Sequence, residues 1–318
     1  MKRILTAVLA AALLLTLAAC GGKPVETQPQ TEAPAAAHTE EPTAVPTAAP
    51  TDAPTEVPTE APTVPAAPAD ENVLVSNENC AFAVTGAASN EHLGMELQVV
   101  CENKTDAQLL FSWDMVSVCG YMYDPVWSEK VEAGQTLNST VYIDTFALEE
   151  MGVASVDEIT FNLNVFNAGD WMAEPYVRDT FTVYPTGLSA DTVTVPQRVS
   201  EDGEQVIVDN DDVVFLVERV DSENAQEYTL RCYLENKTGK NLMFFWDGVE
   251  VNGEAADPAW SCTVTAGKRA YSTVSFDWAA LEEMDIENVE SIKFTMAVSD
   301  YDDFEADYLL EETFTVEP

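Results

Sequence analysis

The sequence predicts an all-β chain in which two antiparallel β-sandwiches follow one another behind a signal peptide and a disordered stalk. Residues 71–185 align without a gap on residues 204–318, and 46 of the 115 aligned pairs are identical. Within each copy, short segments of alternating apolar and polar residues are separated by turn residues, which is typical of strands with one exposed face. Before residue 71 the composition changes to threonine, proline and alanine.

The first 19 residues have the features of a secretory signal peptide. A basic start at residues 1–3 precedes an apolar run at residues 4–17 that is too short for a permanent membrane span. The sequence Leu17-Ala18-Ala19-Cys20 then resembles the lipobox of bacterial lipoproteins. This resemblance implies cleavage before Cys20, lipidation of its thiol and anchoring on the extracellular face of the cell membrane. The alternative is an ordinary cleaved signal in which Cys20 carries no lipid.

Residues 20–70 are predicted to form a stalk. Of the 17 prolines, 11 lie between residues 23 and 70, and that segment contains no aromatic residue. Such a composition cannot bury apolar surface and favours extended polyproline II, whose limit here is roughly 150 Å. Stalks of this kind after a lipidated cysteine resemble those of Gram-positive surface lipoproteins.

The two copies, residues 71–185 and 204–318, are joined by a linker at residues 186–203. Each copy is predicted to hold seven or eight short strands and a single helical turn at residues 147–151, which follows Asp144. This content indicates an antiparallel sandwich of immunoglobulin-like size. In the second copy the predicted strands lie at residues 213–220, 228–234, 242–246, 249–251, 260–264, 271–276, 292–298 and 309–316.

Three turn motifs carry a further resemblance. Asn103-Lys104-Thr105 recurs in the second copy, Asn252-Gly253 follows it there, and Ala133-Gly134 matches Ala266-Gly267. The pattern resembles immunoglobulin-like domains found in tandem in Gram-positive lipoproteins of unknown function, and it implies a fold and a location only. In the first copy, Cys119-Gly120 replaces the second motif.

The charge excludes several classes of function. With 14 Lys and Arg against 56 Asp and Glu, the formal net charge is −42, which disfavours binding to nucleic acids and peripheral binding to anionic membranes.

The only two histidines are His38, in the stalk, and His92, in a turn of one copy. We therefore predict no catalytic residue and no enzymatic activity.

The cysteines do not suggest a metal or redox site. Besides Cys20 there are five, none at matching positions in the two copies and none in a C-x-x-C spacing. The fold is therefore expected not to depend on a disulfide, although a bridge between Cys80 and Cys101 remains an alternative.

An acidic hairpin loop in the second copy is a weak candidate for a cation site. It offers five carboxylates to a hard cation such as calcium. Its spacing does not match an EF-hand, and the first copy keeps only Asp170 and Glu174, so a solvated acidic hairpin is preferred and no metal or other cofactor is predicted. The five residues are Asp300, Asp302, Asp303, Glu305 and Asp307.

Aromatic residues are the best candidates for ligand contacts. Trp127 and Trp260 lie in a shared Asp-Pro-x-Trp-Ser motif, where each ring either packs on the sandwich or stacks on a ligand. Trp171 aligns with Phe304, which gives both copies an aromatic residue at a loop tip, within residues 167–174 and 300–307.

These observations predict a cell-surface lipoprotein that displays two modules for binding or adhesion to an envelope protein or glycan. The alternative is a passive spacer without a specific ligand, and calcium binding at the surface is a more remote one. We expect a monomer.

Overall fold

The structure, a computed structural model, describes residues 73–90, 94–170 and 172–318. These residues form an all-β, sandwich-like fold with two short helices, which confirms the predicted fold class. The predicted signal peptide, Cys20, the stalk, His92 and Trp171 lie outside the described residues. Among those described, no helix is long and apolar enough to cross a membrane.

The first repeat contains nine strands and one helix, α1 (Thr145–Glu150). The strands are β1 (Val73–Ser76), β2 (Cys80–Asn90), β3 (Gly94–Asn103), β4 (Leu109–Val118), β5 (Tyr121–Met122), β6 (Ser128–Val131), β7 (Thr136–Ile143), β8 (Ile159–Asn167) and β9 (Val177–Val183).

The second repeat has the same order of elements, with helix α2 (Trp278–Glu283). Its strands are β10 (Gln205–Asp209), β11 (Val213–Asp221), β12 (Glu227–Asn236), β13 (Leu242–Val251), β14 (Glu254–Ala255), β15 (Ser261–Val264), β16 (Arg269–Asp277), β17 (Ile292–Asp300) and β18 (Leu310–Val316). The segments predicted at residues 242–246 and 249–251 form one strand, interrupted by a bulge.

Each repeat has two antiparallel groups of strands around a core of its own. In the first repeat the order β1-β2-β3-β7 forms one group, and β5-β4-β8-β9 the other, with β6 beside β4. In the second repeat the groups are β10-β11-β12-β16 and β14-β13-β17-β18, with β15 beside β13. Alternate residues of the longer strands face the core, as the period-two pattern predicts.

The same aromatic arrangement lies at the centre of both cores. The Trp113 ring stacks on Phe161 with centroids 3.8 Å apart, and the Trp246 ring stacks on Phe294 at the same distance. These residues are identical in the two copies, so the duplication preserves the packing of the core as well as the order of the strands.

The Asn-Lys-Thr motif forms the predicted turn, and its asparagine is fully buried. In the second repeat, the Asn236 amide nitrogen donates hydrogen bonds to the carbonyl oxygens of Lys240 and Val264, at 2.7 and 2.8 Å. Its side-chain oxygen accepts from the backbone nitrogen of Thr238 at 2.9 Å. Asn103 makes the equivalent bonds in the first repeat. The motif therefore joins two neighbouring strand ends through one buried amide.

The two sandwiches are joined by a shared sheet. Strand β5 pairs in parallel with β16 at Tyr121 and Arg269, and the Arg269 backbone nitrogen donates to the Gly120 carbonyl at 2.9 Å. Leu216 and Tyr233 of the second repeat pack into the core of the first. All described residues belong to one compact unit.

A buried group of charges lies at this junction. The Glu218 carboxylate is only 5% exposed and accepts a hydrogen bond from the Arg231 Nε at 2.7 Å, while Arg198 of the linker approaches it to 3.6 Å. Arg231 also pairs with Glu150 at the end of α1, in the first repeat, and its guanidinium lies 4.6 Å from the centre of the Tyr271 ring. The linker and both repeats thus share one network of ion pairs.

The junction explains part of the divergence between the copies. Where the second repeat has Arg231, Tyr233, Arg269 and Tyr271, the first repeat has Gln98, Val100, Thr136 and Asn138. One sheet face of the second repeat is specialised to receive the helix end of the first.

Candidate functional site

The acidic loop at residues 300–307 follows β17 and leads into β18. Hydrogen bonds fix both ends of the loop, because the Tyr301 backbone nitrogen donates to the Asn241 carbonyl and that of Leu309 to the Val298 carbonyl, at 2.9 and 2.8 Å. A turn closes inside it, where the Ala306 nitrogen donates to the Asp303 carbonyl at 3.2 Å. The loop therefore has a defined backbone on which side chains are displayed.

The first of its five carboxylates is part of the fold. Asp300 is 6% exposed, and its side chain accepts hydrogen bonds from the Lys240 ammonium at 2.7 Å and from the Asp302 backbone nitrogen at 3.0 Å. The hydrogen bond from Lys240 lowers the pKa of Asp300 below its usual value. Asp300 thus stays ionised and holds the loop onto the neighbouring strand.

The other four carboxylates are exposed to solvent. Asp302 accepts a hydrogen bond from the Asn241 side chain at 3.0 Å, and Asp303 accepts one from the Glu305 backbone nitrogen at 3.2 Å. Across the described residues, no group of three or more His, Cys, Asp or Glu side chains is placed to hold a metal ion. What the loop presents is a set of separate negative charges.

Aromatic rings accompany these charges. The Phe304 side chain is 62% exposed at the tip of the loop, with the Tyr301 ring 5.9 Å away. Tyr308, next to the loop and 40% exposed, lies edge-on to Phe245 at 5.8 Å. The sequence predicted Phe304 as a ligand contact but did not predict Tyr301 and Tyr308, although both tyrosines lie within four positions of Phe304.

The corresponding loop of the first repeat, residues 167–174, is described except at Trp171. Beside that position, Met172 is 79% exposed, and the Asn167 side chain accepts a hydrogen bond from the Gly169 nitrogen at 2.9 Å. An exposed apolar side chain therefore occurs at this loop in both repeats.

Trp127 and Trp260 lie in the cores. They are 8% and 9% exposed, and each is 5.4 Å from the central tryptophan of its repeat, Trp113 or Trp246. Each indole nitrogen donates to a serine hydroxyl on the neighbouring strand, at 3.2 Å in the first repeat and 2.9 Å in the second. This burial leaves little of either ring for a ligand, so packing accounts for the Asp-Pro-x-Trp-Ser motif.

The five described cysteines are all free, including Cys80 and Cys101. Burial raises the pKa of Cys101 and of Cys232 above the usual range, so both thiols behave as small apolar core residues. Cys119 replaces Asn252 at a turn, and its sulfur takes over the role of the asparagine side chain by accepting from the Asp157 nitrogen at 3.3 Å. The two copies thus have different side chains at this turn but the same backbone conformation, with φ of 47° at Cys119 and 53° at Asn252.

Comparisons with known proteins assign no family. No protein-family model and no curated protein matches the chain. Among solved structures, the chain is similar to the exo-chitosanase CsxA of Amycolatopsis orientalis, at 11% identity and a TM-score of 0.19. The match covers 73% of this chain and 26% of the chitosanase chain.

Proposed function

We propose that the chain is a lipid-anchored protein of the extracellular face of a cell membrane, whose joined sandwiches bind a protein or glycan of the envelope through the loop at residues 300–307. The single observation that carries this proposal is the 62% exposure of Phe304 among four solvated carboxylates. A large exposed ring with charged neighbours is the composition of an interface contact, since aromatic residues supply much of the binding energy in protein complexes.

The negative charge of the loop indicates the kind of partner surface that it would fit. Asp302, Asp303, Glu305 and Asp307 flank Phe304 in the sequence, and the whole chain carries a formal charge of −42. A partner surface with cationic or hydrogen-bond-donating groups complements this loop, and binding should weaken as salt screens the charges.

The test compares two exposed phenylalanines. Phe304→Ala in the full chain, held in mild detergent, should weaken capture of the envelope partner by about 1–3 kcal/mol without changing the melting temperature. The matched control is Phe146→Ala, because Phe146 is 69% exposed on α1 and lies outside the loop. If Phe304→Ala and Phe146→Ala capture the envelope partner equally well, the loop at residues 300–307 is not the contact surface.

A passive spacer is the second candidate, and it is favoured by the burial of Trp127 and Trp260 in the cores. If the chain is a passive spacer, neither the wild-type chain nor the Phe304→Ala variant should show saturable binding to envelope extract or to a glycan panel. Binding that saturates and depends on Phe304 contradicts the spacer.

The proposed anchor is tested separately. Cys20→Ala should shift the protein from the membrane fraction to the medium or block its processing. A variant that stays membrane-bound and is cleaved as usual contradicts lipidation at Cys20.

A further inference from the structure

A cleft of about 470 Å³ lies at the end of the second repeat away from the acidic loop. Strand β17 runs between them, from Ile292 near the cleft to Asp300 at the loop, which separates the two places by roughly 25 Å. No residue of the acidic loop contributes to the cleft. Its walls are formed by Val220, Ser222, Tyr228, Trp278, Glu287, Asn288, Val289 and Pro318.

An aromatic corner forms part of the wall. The rings of Trp278 and Tyr228 meet edge-on, with centroids 5.7 Å apart and planes at 84°. The Trp278 indole nitrogen donates to the Asn224 carbonyl at 3.0 Å, which fixes the orientation of the ring. Val220 and Val289 add partly buried apolar surface, so the corner contributes an apolar patch to a cleft whose lining is otherwise largely polar.

The Tyr228 hydroxyl has no hydrogen-bond partner, although the residue is only 3% exposed. Burial raises the pKa of Tyr228 to about 12, so the group keeps its proton and remains a donor. The hydroxyl oxygen has almost no accessible surface, so it lies beneath the wall of the cleft, and the ring of Tyr228 only supports Trp278. Ser222 and Asn288 add neutral polar groups on exposed parts of the wall.

The cleft is specific to the second repeat. Where the second repeat has Tyr228, Trp278, Glu287 and Asn288, the first has Met95, Thr145, Ala154 and Ser155. In the first repeat this end of the sandwich meets the second repeat, through the ion pair of Glu150 with Arg231. In the second repeat the same end makes no such junction in the described residues, and it carries the aromatic corner instead.

We propose that this cleft binds one ring of an uncharged saccharide. A pyranose has an apolar face that can lie against Trp278 and hydroxyl groups that can pair with the exposed side chains of Ser222 and Asn288. The Glu287 carboxylate and the charge of −42 oppose an anionic sugar. The saccharide would reach a surface distinct from the acidic loop, so the chain can hold two partners at opposite ends of one sandwich.

The probes are tetrasaccharides of glucose with β-1,4 and α-1,4 linkages and of N-acetylglucosamine, with tetragalacturonate as the anionic control. Binding to the full chain in mild detergent is measured by calorimetry and by tryptophan fluorescence. We expect at least one neutral probe to bind, with Kd on the order of 1 mM or tighter, and the anionic control not to bind.

Three variants locate the site. Trp278→Ala should weaken binding by about tenfold, as expected for loss of one stacked ring. Asn288→Ala should weaken it less. Tyr228→Phe should bind like the wild type and leave the melting temperature unchanged or higher, since the hydroxyl that it removes is unpaired and buried beneath the wall. Phe146→Ala, which changes an exposed phenylalanine on α1 outside both the cleft and the acidic loop, is the matched control and should bind the probes like the wild type.

The proposal is overturned if none of the neutral probes binds, if tetragalacturonate binds as well as they do, or if Trp278→Ala and Asn288→Ala bind like the wild type. These outcomes leave capture of an envelope partner through Phe304 untouched, so the two proposals fail independently.

Discussion

Replacement of the buried asparagine in the Asn-Lys-Thr turn should strongly destabilise the second repeat. Asn236 is 1% exposed, and Asn236→Ala removes three donated hydrogen bonds, to the carbonyls of Lys240, Val264 and Thr265. It also removes the two that the side-chain oxygen accepts from the backbone nitrogen and hydroxyl of Thr238. Each lost bond contributes about 1 kcal/mol, and polar groups left unpaired in the core add to this cost. We therefore expect a loss of about 2–4 kcal/mol in the free energy of unfolding.

Urea denaturation followed by circular dichroism measures this loss. Asn103→Ala should cost a similar amount, because Asn103 makes the equivalent bonds in the first repeat. The control is Asn138→Ala, an exposed asparagine on β7 whose replacement should change stability by less than about 0.5 kcal/mol. If Asn236→Ala costs no more than the control, the buried amide does not hold the strand ends together.

Three further changes test the junction, the bulge and the thiols. Arg231→Met should lower stability by about 2–4 kcal/mol in urea titrations, because it leaves Glu218 buried with only the more distant Arg198, and a loss below about 0.5 kcal/mol contradicts a coupled junction. Gly248→Ala should lower the free energy of unfolding by about 1 kcal/mol, because φ is 58° at this position and disfavours a side chain. Gly239→Ala should be nearly neutral, because neither position has an atom within 4 Å of the added carbon and Gly239 has no positive φ. At pH 8 the partly buried Cys262 thiol, whose pKa burial raises to about 11, should react with Ellman's reagent much more slowly before unfolding than after it. A fast native reaction there contradicts the assigned burial.

Local chemistry made most of the elements predictable from the sequence. The alternation of apolar residues located the central strands, and Asp144 marked the start of α1, where its side chain accepts a hydrogen bond from the Ala147 nitrogen at 2.6 Å. Strand β10 was not predicted because it lies at a sheet edge where only one of its five residues is buried, so its alternation is weak.

Contacts between distant residues were not predictable in this way. Arg231 and Glu150 are 81 positions apart, and only the fold brings them together. The comparison of copies did contain a signal, because basic and aromatic residues had appeared at Arg231 and Tyr271 in one copy alone.

The candidate ligand-contact residues also differ in whether the local sequence alone predicts their exposure. At Phe304, an acidic loop between two strands made exposure predictable. At Trp260, packing and ligand stacking looked alike in the sequence, because the choice depends on how close the ring lies to Trp246.

The most direct test of the proposed function places a photo-crosslinking phenylalanine analogue at position 304 of the full chain on intact cells. Illumination should give a discrete adduct of higher mass, reduced by high salt, whereas the same analogue at position 146 should give none. Absence of an adduct at position 304, or equal adducts at both positions, would contradict binding through the acidic loop.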